Sequence, residues 1–273
     1  MILVTGHKGY IGSKLYKKLK ESYDVVGIDL KDGKDILECL PDEDFKCVFH
    51  MAAFPQIPFS IENPFYTLKQ NVLTASKLLE WSKNHSVERF VFSSSAAVYG
   101  DGMAPLSPYG LHKLMTEMEC KLYYELYGLD TVALRYFNVF SEDQKYGGAY
   151  SSVISAWMEN LRHNQKLRID GDGKQTRDYI HVDEIIDVNI FCMNYTKAFG
   201  GAFFDVGTGN PISLNQIKEV INRHYETEWE NAPRRKGDIR YSTAVTHDLK
   251  RIGWEAKQNP LLAIENCFTQ IKE

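Results

Sequence analysis

Residues 2–12 place the tightest constraint on what this chain can fold into. Ile2-Leu3-Val4 is a short apolar run that breaks at Thr5-Gly6-His7-Lys8-Gly9-Tyr10-Ile11-Gly12. A helical pattern follows, with Ile11, Leu15 and Leu19 recurring every four residues. Strand, glycine turn and helix in immediate succession describe a dinucleotide-binding unit. Gly6 allows the sharp turn, Gly9 lets the backbone approach a pyrophosphate, and Gly12 lets the helix pack on the strand. The free N–H groups at the helix start then face the phosphates. The spacing is G-x-x-G-x-x-G rather than G-x-G-x-x-G. A second apolar strand, Val25-Val26-Gly27-Ile28, ends at Asp29. A carboxylate there can accept hydrogen bonds from an adenosine ribose and would repel a 2′-phosphate, which favours NAD over NADP.

Strand and helix patterns keep alternating through the first half. Lys46–Met51 reads as a third strand, and Phe65, Leu68, Val72, Ala75 and Leu79 as an amphipathic helix after Pro64. Arg89-Phe90-Val91-Phe92 runs straight into Ser93-Ser94-Ser95. Leu111, Leu114, Met118, Leu122 and Leu126 mark a helix that starts after Pro108, and Thr131–Val139 is the last strand of this half. That order predicts an α/β fold with a doubly wound parallel sheet of Rossmann type. After Phe140 the elements shorten, broken by Tyr146-Gly147-Gly148 and Gly171-Asp172-Gly173. Ser213 and Gln216 form a capping-box pattern, and Asn259-Pro260 opens a final helix. The expected division is a cofactor domain over 1–138 and a smaller α/β substrate-binding region over 139–273. Residues 178–207 are expected to pack back on the first domain.

Composition narrows the function classes. The net charge of −4 comes without a basic tract, which argues against nucleic acid as the main partner. No apolar run approaches the roughly 20 residues needed to span a membrane. The first strand begins at residue 2, leaving no room for a signal peptide. Cys39, Cys47, Cys120, Cys192 and Cys267 are odd in number and form no C-x-x-C pair, which suits a reducing cytoplasm. The histidines show no metal spacing, so no metal is expected.

Tyr109 and Lys113 sit four residues apart and share one face of a helix. A free phenol titrates near pH ~10, so bringing it to neutrality needs roughly 3 units, or ~4 kcal/mol. A cation at ~4 Å in a partly shielded site supplies about that much. The same spacing occurs at Tyr10/Lys14 and Tyr16/Lys20. Tyr109 is set apart by the strand and serine run that precede it, at the end of the sheet where open α/β folds bind ligands.

Together these residues resemble the extended short-chain dehydrogenase/reductase family, in particular its NAD-dependent nucleotide-sugar epimerases and dehydratases, and most of all the UDP-sugar 4-epimerases. The likeness runs through Thr5–Gly12, His50-Met51-Ala52-Ala53, Ser93–Gly100, Tyr109/Lys113, Arg135–Val139, Gly171–Asp178, Val206–Gly209 and Arg235–Asp238. It implies that Ser95 bonds the sugar hydroxyl, that Tyr109 is the base, and that Lys113 holds the nicotinamide ribose and lowers the tyrosine pKa. It further implies that Tyr10, Ile11, Asp35, Ile36, Met51, Ala52, Ala53, Asn71, Ser93 and Tyr136 join Gly6, Gly9, Gly12 and Asp29 around NAD. Asn138, Arg177, Arg235 and Asp238 are the implied grip on a nucleotide-diphosphate sugar. Planar, permanently charged arginine forks suit a diphosphate. Ser242, four positions after the aspartate of Arg-x-Gly-Asp, is the implied gate beside the sugar C2 substituent. A homodimer built on the Pro64–Asn84 and Tyr109–Tyr127 helices is also implied.

Related dehydratases carry an acidic pair directly after the serine or threonine, where this chain has Ala96 and Ala97. The resemblance therefore implies reversible oxidation at C4, hence 4-epimerisation of UDP-glucose/galactose or of the N-acetylated pair through a 4-keto sugar. A net oxidoreductase on a similar sugar is the alternative enzyme, and an NAD-sensing regulator the alternative without catalysis. Two loops are shorter than in the family, between Asp29 and Asp35 and between Gly100 and Tyr109.

Overall fold

The structure, a computed structural model, describes residues 1–147, 152–234 and 239–272. Its first half runs β1 (Ile2–Thr5), α1 (Tyr10–Leu19), β2 (Val25–Ile28), β3 (Cys47–His50), α2 (Ile57–Glu62), α3 (Pro64–Leu68), α4 (Thr74–Asn84), β4 (Arg89–Ser95), α5 (Pro108–Tyr127) and β5 (Asp130–Tyr136). Then come β6 (Asn138–Phe140), α6 (Val153–Arg162), β7 (Leu167–Asp170), β8 (Thr176–His181), α7 (Val182–Asn194) and β9 (Ala202–Val206). The chain closes with β10 (Pro211–Ser213), α8 (Leu214–His224), β11 (Trp229–Ala232), α9 (His247–Arg251) and α10 (Pro260–Thr269). Two compact units emerge, 1–136 with 186–204, and 137–185 with 205–273.

The first unit is built on a six-stranded sheet in the order β2-β1-β3-β4-β5-β9. β1 pairs in parallel with both β2 and β3, and β3–β4 and β4–β5 are parallel as well. This is the doubly wound α/β fold. Leu3, Val48, Phe90 and Phe92 from the strands and Leu78 and Leu79 from α4 are buried in one cluster. The chain leaves β1 for β2 and then returns to the other side of β1 at β3. That reversal opens a crevice beyond the carboxyl ends of β1 and β3. In the second unit β10, β8 and β6 form one small sheet and β11 pairs with β7. Its core includes Phe140, Trp157, Ile169, Ile217 and Phe268. The capping box at Ser213/Gln216 is present, and Asn259 caps α10 through the N–H groups of Leu261 and Leu262. No helix among the described residues is long and apolar enough to cross a membrane.

Three elements differ from the sequence pattern. The helix expected over Pro64–Asn84 is interrupted by a π turn at Lys69–Leu73. One wide turn shifts the helical phase, so Phe65 before it is 80 % exposed while Val72, Ala75 and Leu79 are buried. The strand expected over Thr131–Val139 divides at Phe137, where the chain passes from the large sheet to β6 beside β8. α5 turns its apolar stripe outward, leaving Leu111, Met118, Leu122 and Leu126 exposed. Its buried face is Tyr109, Gly110, His112, Lys113, Thr116, Glu117 and Cys120. That face is polar because the ends of the strands beneath it offer hydrogen-bonding groups.

Candidate active site

In the first unit the expected cofactor residues follow the carboxyl ends of successive parallel strands. Gly6 has φ +69°, and a Cβ there would stand 2.7 Å from the Ala52 backbone. A Cβ on Gly12 would stand 2.2 Å from the Gly6 carbonyl oxygen, so only glycine lets α1 approach the turn. Gly9 caps α1 with no side-chain hydrogen bond, which leaves the first-turn N–H groups to a phosphate. Tyr10 and Ile11 open that helix, both half-buried. These features fit a dinucleotide pyrophosphate.

After β2, the Asp29 carboxylate accepts from the backbone N–H groups of Lys8 and Lys31, each at 2.9 Å. Two bonds leave lone pairs free on a group that can accept about four. The segment that follows is a 3₁₀ turn over Leu30–Asp32, with no strand before β3. Asp35 accepts from the Leu37 N–H at 2.8 Å, and Ile36 is buried. After β3, Thr5 Oγ1 bonds His50 Nδ1 at 2.8 Å and accepts from the Ala52 N–H at 3.3 Å. Asn71, in the π turn, accepts from the Phe54 N–H at 2.7 Å and donates to its carbonyl at 3.2 Å. Met51, Ala52 and Ala53 are thus held from both ends. Tyr136 ends β5, and its hydroxyl meets the Asn189 side chain at 2.7 Å.

β4 and α5 bring the three candidate catalytic residues into this unit. Ser95 ends β4, half-buried, with its Oγ accepting from the Ala97 N–H at 3.2 Å. Tyr109 stands at the start of α5, 8 % exposed, with its backbone N–H on Ser60 Oγ at 3.2 Å. Lys113 is 4 % exposed and donates from Nζ to the Ser93 carbonyl at 2.6 Å. Its Nζ lies 5.9 Å from the Tyr109 ring centroid and 4.7 Å from that of Phe92. Burial takes the lysine from its ordinary 10.5 down to about 7, opposed by the Glu117 carboxylate. Burial, with Lys113 adding to it, also holds His50 down to about 3, so that imidazole is neutral.

The second unit carries the other candidates. Asn138 donates to the Asp178 carbonyl at 3.2 Å, and Arg177 donates to the Thr176 carbonyl at 2.9 Å. Ser242 is fixed by its N–H to the Thr176 carbonyl at 3.2 Å. The buried Asp178 carboxylate accepts from Thr208, Gly209 and Ala244 N–H groups, tying the Val206–Gly209 turn to the segment that holds Ser242. Arg235 and Asp238 lie outside the described residues.

The profile of the NAD-dependent epimerase/dehydratase family matches residues 2–207. The chain belongs to that family. Among its relatives is a Methanocaldococcus jannaschii protein provisionally named a UDP-glucose 4-epimerase, 33 % identical across 93 % of each chain. A UDP-N-acetylglucosamine 4-epimerase from Methanobrevibacter ruminantium, solved with UDP-N-acetylmuramic acid, superposes with a TM-score of 0.89. The two are 28 % identical, over 98 % of both chains. A UDP-glucuronic acid 4-epimerase from Bacillus cereus, solved with its sugar nucleotide and NAD, gives a TM-score of 0.87 at 26 % identity, covering 99 % of this chain and 98 % of that one.

For a member of this family, sequence inspection omits several supporting residues. Asn189 and Ser60 escape it because a hydroxyl or amide leaves no periodic signal. Glu117 and Arg135 form a buried pair beside the candidate catalytic lysine, and only Arg135 lies within a recognisable motif.

A pH dependence follows from Lys113. Between the folded value near 7 and the ordinary 10.5, the unfolded chain holds a proton that the folded chain does not. Stability must therefore rise with pH across that window. The unliganded wild type should gain on Lys113→Met in thermal unfolding between about pH 7 and 10. A difference that stays flat over that range would show that burial does not ease proton loss at this site.

Proposed function

We propose that this protein is an NAD-dependent 4-epimerase of UDP-hexoses that works through a transient 4-keto sugar. The observation that carries the proposal is the Ser95, Tyr109 and Lys113 set, with alanines at 96 and 97. Tyr109 takes the C4 hydroxyl proton and later returns it, while Ser95 orients the C4 oxygen. Lys113, under the Tyr109 ring, makes proton loss from the phenol possible near neutral pH. The bound dinucleotide supplies a reversible hydride acceptor at C4 and is not consumed. With alanines at 96 and 97, the acidic pair that would help expel a hydroxyl from the oxidised sugar is absent from those positions. The keto sugar is left with reduction on either face, which is epimerisation.

Residues 1–138 chiefly serve the cofactor in this scheme, with Ser95 and Asn138 given to the sugar nucleotide, and 139–273 serve the sugar nucleotide. Gly6, Gly9, Tyr10, Ile11 and Gly12 take the pyrophosphate, Asp29, Asp35 and Ile36 the adenosine, and Met51, Ala52, Ala53, Asn71, Ser93 and Tyr136 the remainder. Asn138, Arg177, Arg235 and Asp238 take the nucleoside diphosphate. UDP is favoured because the named relatives act on UDP-sugars, and their hexoses differ. A cytoplasmic location accords with five free cysteines. The exposed apolar residues of α5, together with Ile61, Phe65 and Leu73, suit a homodimer.

Purified protein incubated with UDP-hexoses and no added cofactor should yield the C4 epimer by NMR. Tyr109→Phe should still fold and bind NAD but lose roughly 100-fold or more in kcat, the scale of a lost general base. Near-normal turnover by that variant would sink the mechanism.

Ser242 leaves room at C2, so N-acetylated sugars should be accepted. Overfilling a packed site costs ~1–3 kcal/mol, so Ser242→Tyr should slow the acetylated substrate selectively, by about tenfold. Equal losses on acetylated and plain sugars would show that Ser242 is no gate.

Light scattering at micromolar concentration should report twice the 31.3 kDa chain mass. Met118→Lys should shift that towards the single chain, and a wild-type monomer would remove the dimer from the account.

A further inference from the structure

The buried face of α5 carries more than the catalytic pair. Tyr109, Lys113 and Glu117 recur every four residues, so a phenol, an ammonium and a carboxylate stand in one column. Glu117 is 6 % exposed and so is Arg135, which grips it with a fork: Nε to Oε1 at 2.9 Å and Nη2 to Oε2 at 2.6 Å. Arg135 Nη1 continues to the Tyr99 hydroxyl at 2.7 Å, and its guanidinium lies 3.6 Å from the Phe203 ring centroid. Ser94 pairs in register with Arg135 across β4 and β5, and its Oγ also bonds Glu117. The three serines thus divide the work. Ser93 holds Lys113 through its carbonyl, Ser94 holds Glu117 through its hydroxyl, and Ser95 is the candidate substrate contact. Tyr99 closes the turn that follows Ser95.

Burial leaves Lys113 few charged or titratable neighbours. Among the described residues they are Tyr109, Glu117 and Cys120 on α5, His50 on β3, and Arg135 on β5 behind the carboxylate. His50 is neutral, and burial pushes the Cys120 thiol up so that it too is uncharged near pH 7. Glu117 is therefore the anion available to the ammonium. Tyr109 and Lys113 titrate as a pair, and the first proton to leave can come from either member. If it leaves the phenol, the result is phenolate beside ammonium, the form that can accept a proton from substrate. If it leaves the lysine, the result is phenol beside amine, which cannot.

We propose that Glu117 is a positioning residue for catalysis: fastened to Ser94 and Arg135, it keeps an anion one helical turn from Lys113 and so makes the phenolate–ammonium form the one populated. The inference rests on Tyr109 and Lys113 being the proton-transfer pair. The Glu117 carboxylate is engaged by Ser94 and Arg135 and is not among the residues assigned to substrate or cofactor. Arg135 has the opposite electrostatic sense, because it draws the carboxylate's charge away from the lysine.

The test is the pH profile of kcat in paired charge variants of the whole enzyme. Glu117→Gln should move the ascending limb to lower pH by about one unit, since an anion near the pair is gone. Its plateau should fall by about tenfold, because the pair now loses its proton from the lysine. Its affinity for NAD should hold. Arg135→Met should move the limb the other way. Loosened packing would move neither limb, or both alike, and either result overturns the proposal. Glu117→Asp should restore the limb. The difference in phenolate ultraviolet absorbance between wild type and Tyr109→Phe should shrink when Glu117→Gln is added to both, and an unchanged difference contradicts the proposal. Should a charge variant fail to fold, Ser94→Ala removes only the hydroxyl donor and should move the limb upward, whereas a fixed limb with lower thermal stability alone would mark the network as merely structural. Tyr109→Phe separates the two levels: if it retains turnover the underlying mechanism fails, and if it is inactive while Glu117→Gln keeps the wild-type limb, this inference alone fails.

Discussion

Burying the Lys113 ammonium beneath the end of β4 costs desolvation free energy, and much of the surrounding architecture answers that cost. The Ser93 carbonyl accepts its hydrogen bond, the Phe92 ring lies beneath it, and Glu117 stands one turn along α5. A buried charge is tolerated only when paired or hydrogen-bonded, so each of these contacts constrains the others. The geometry of α5 follows from them. Its polar face turns to the sheet and its leucines turn to solvent, the reverse of what hydrophobic burial alone would select.

That inversion marks where sequence patterns stop being informative. The glycine turn, the strands at Val25, Cys47 and Arg89, and the parallel order are legible because each rests on a local rule: glycine conformations, apolar runs, and strand–helix alternation. The glycines at 6, 9 and 12 and Asp29 rest on the same local rules, whereas Asp35, Ile36, Asn71, Ser93 and Tyr136 come into view only through the family resemblance. The face that α5 buries is a tertiary property. Periodicity locates its apolar stripe at Leu111, Met118, Leu122 and Leu126 but cannot say which way the stripe points. The π turn at Lys69–Leu73 is equally silent, although it brings Asn71 to the Phe54 backbone. Glu117 looks like any helix-surface glutamate until Arg135 and Ser94 are seen around it.

A 3₁₀ turn capped by Asp29 follows β2, and the same carboxylate also braces the glycine turn through Lys8. One side chain thus holds two pieces of the cofactor side together. In the second unit Asp178 plays a comparable part, gathering three backbone N–H groups from segments distant in sequence. Carboxylates that accept several backbone donors fix loops with a modest number of residues.

In the proposed epimerisation, hydrogen leaves C4 of the sugar and returns to the same carbon without reaching solvent. UDP-glucose carrying deuterium at C4 can be incubated with the protein in ordinary water to follow that hydrogen. The galacto product should retain the deuterium at C4, and no reduced cofactor should accumulate as the two epimers equilibrate. Loss of the label to water, or stoichiometric appearance of NADH with a single oxidised sugar, would contradict it.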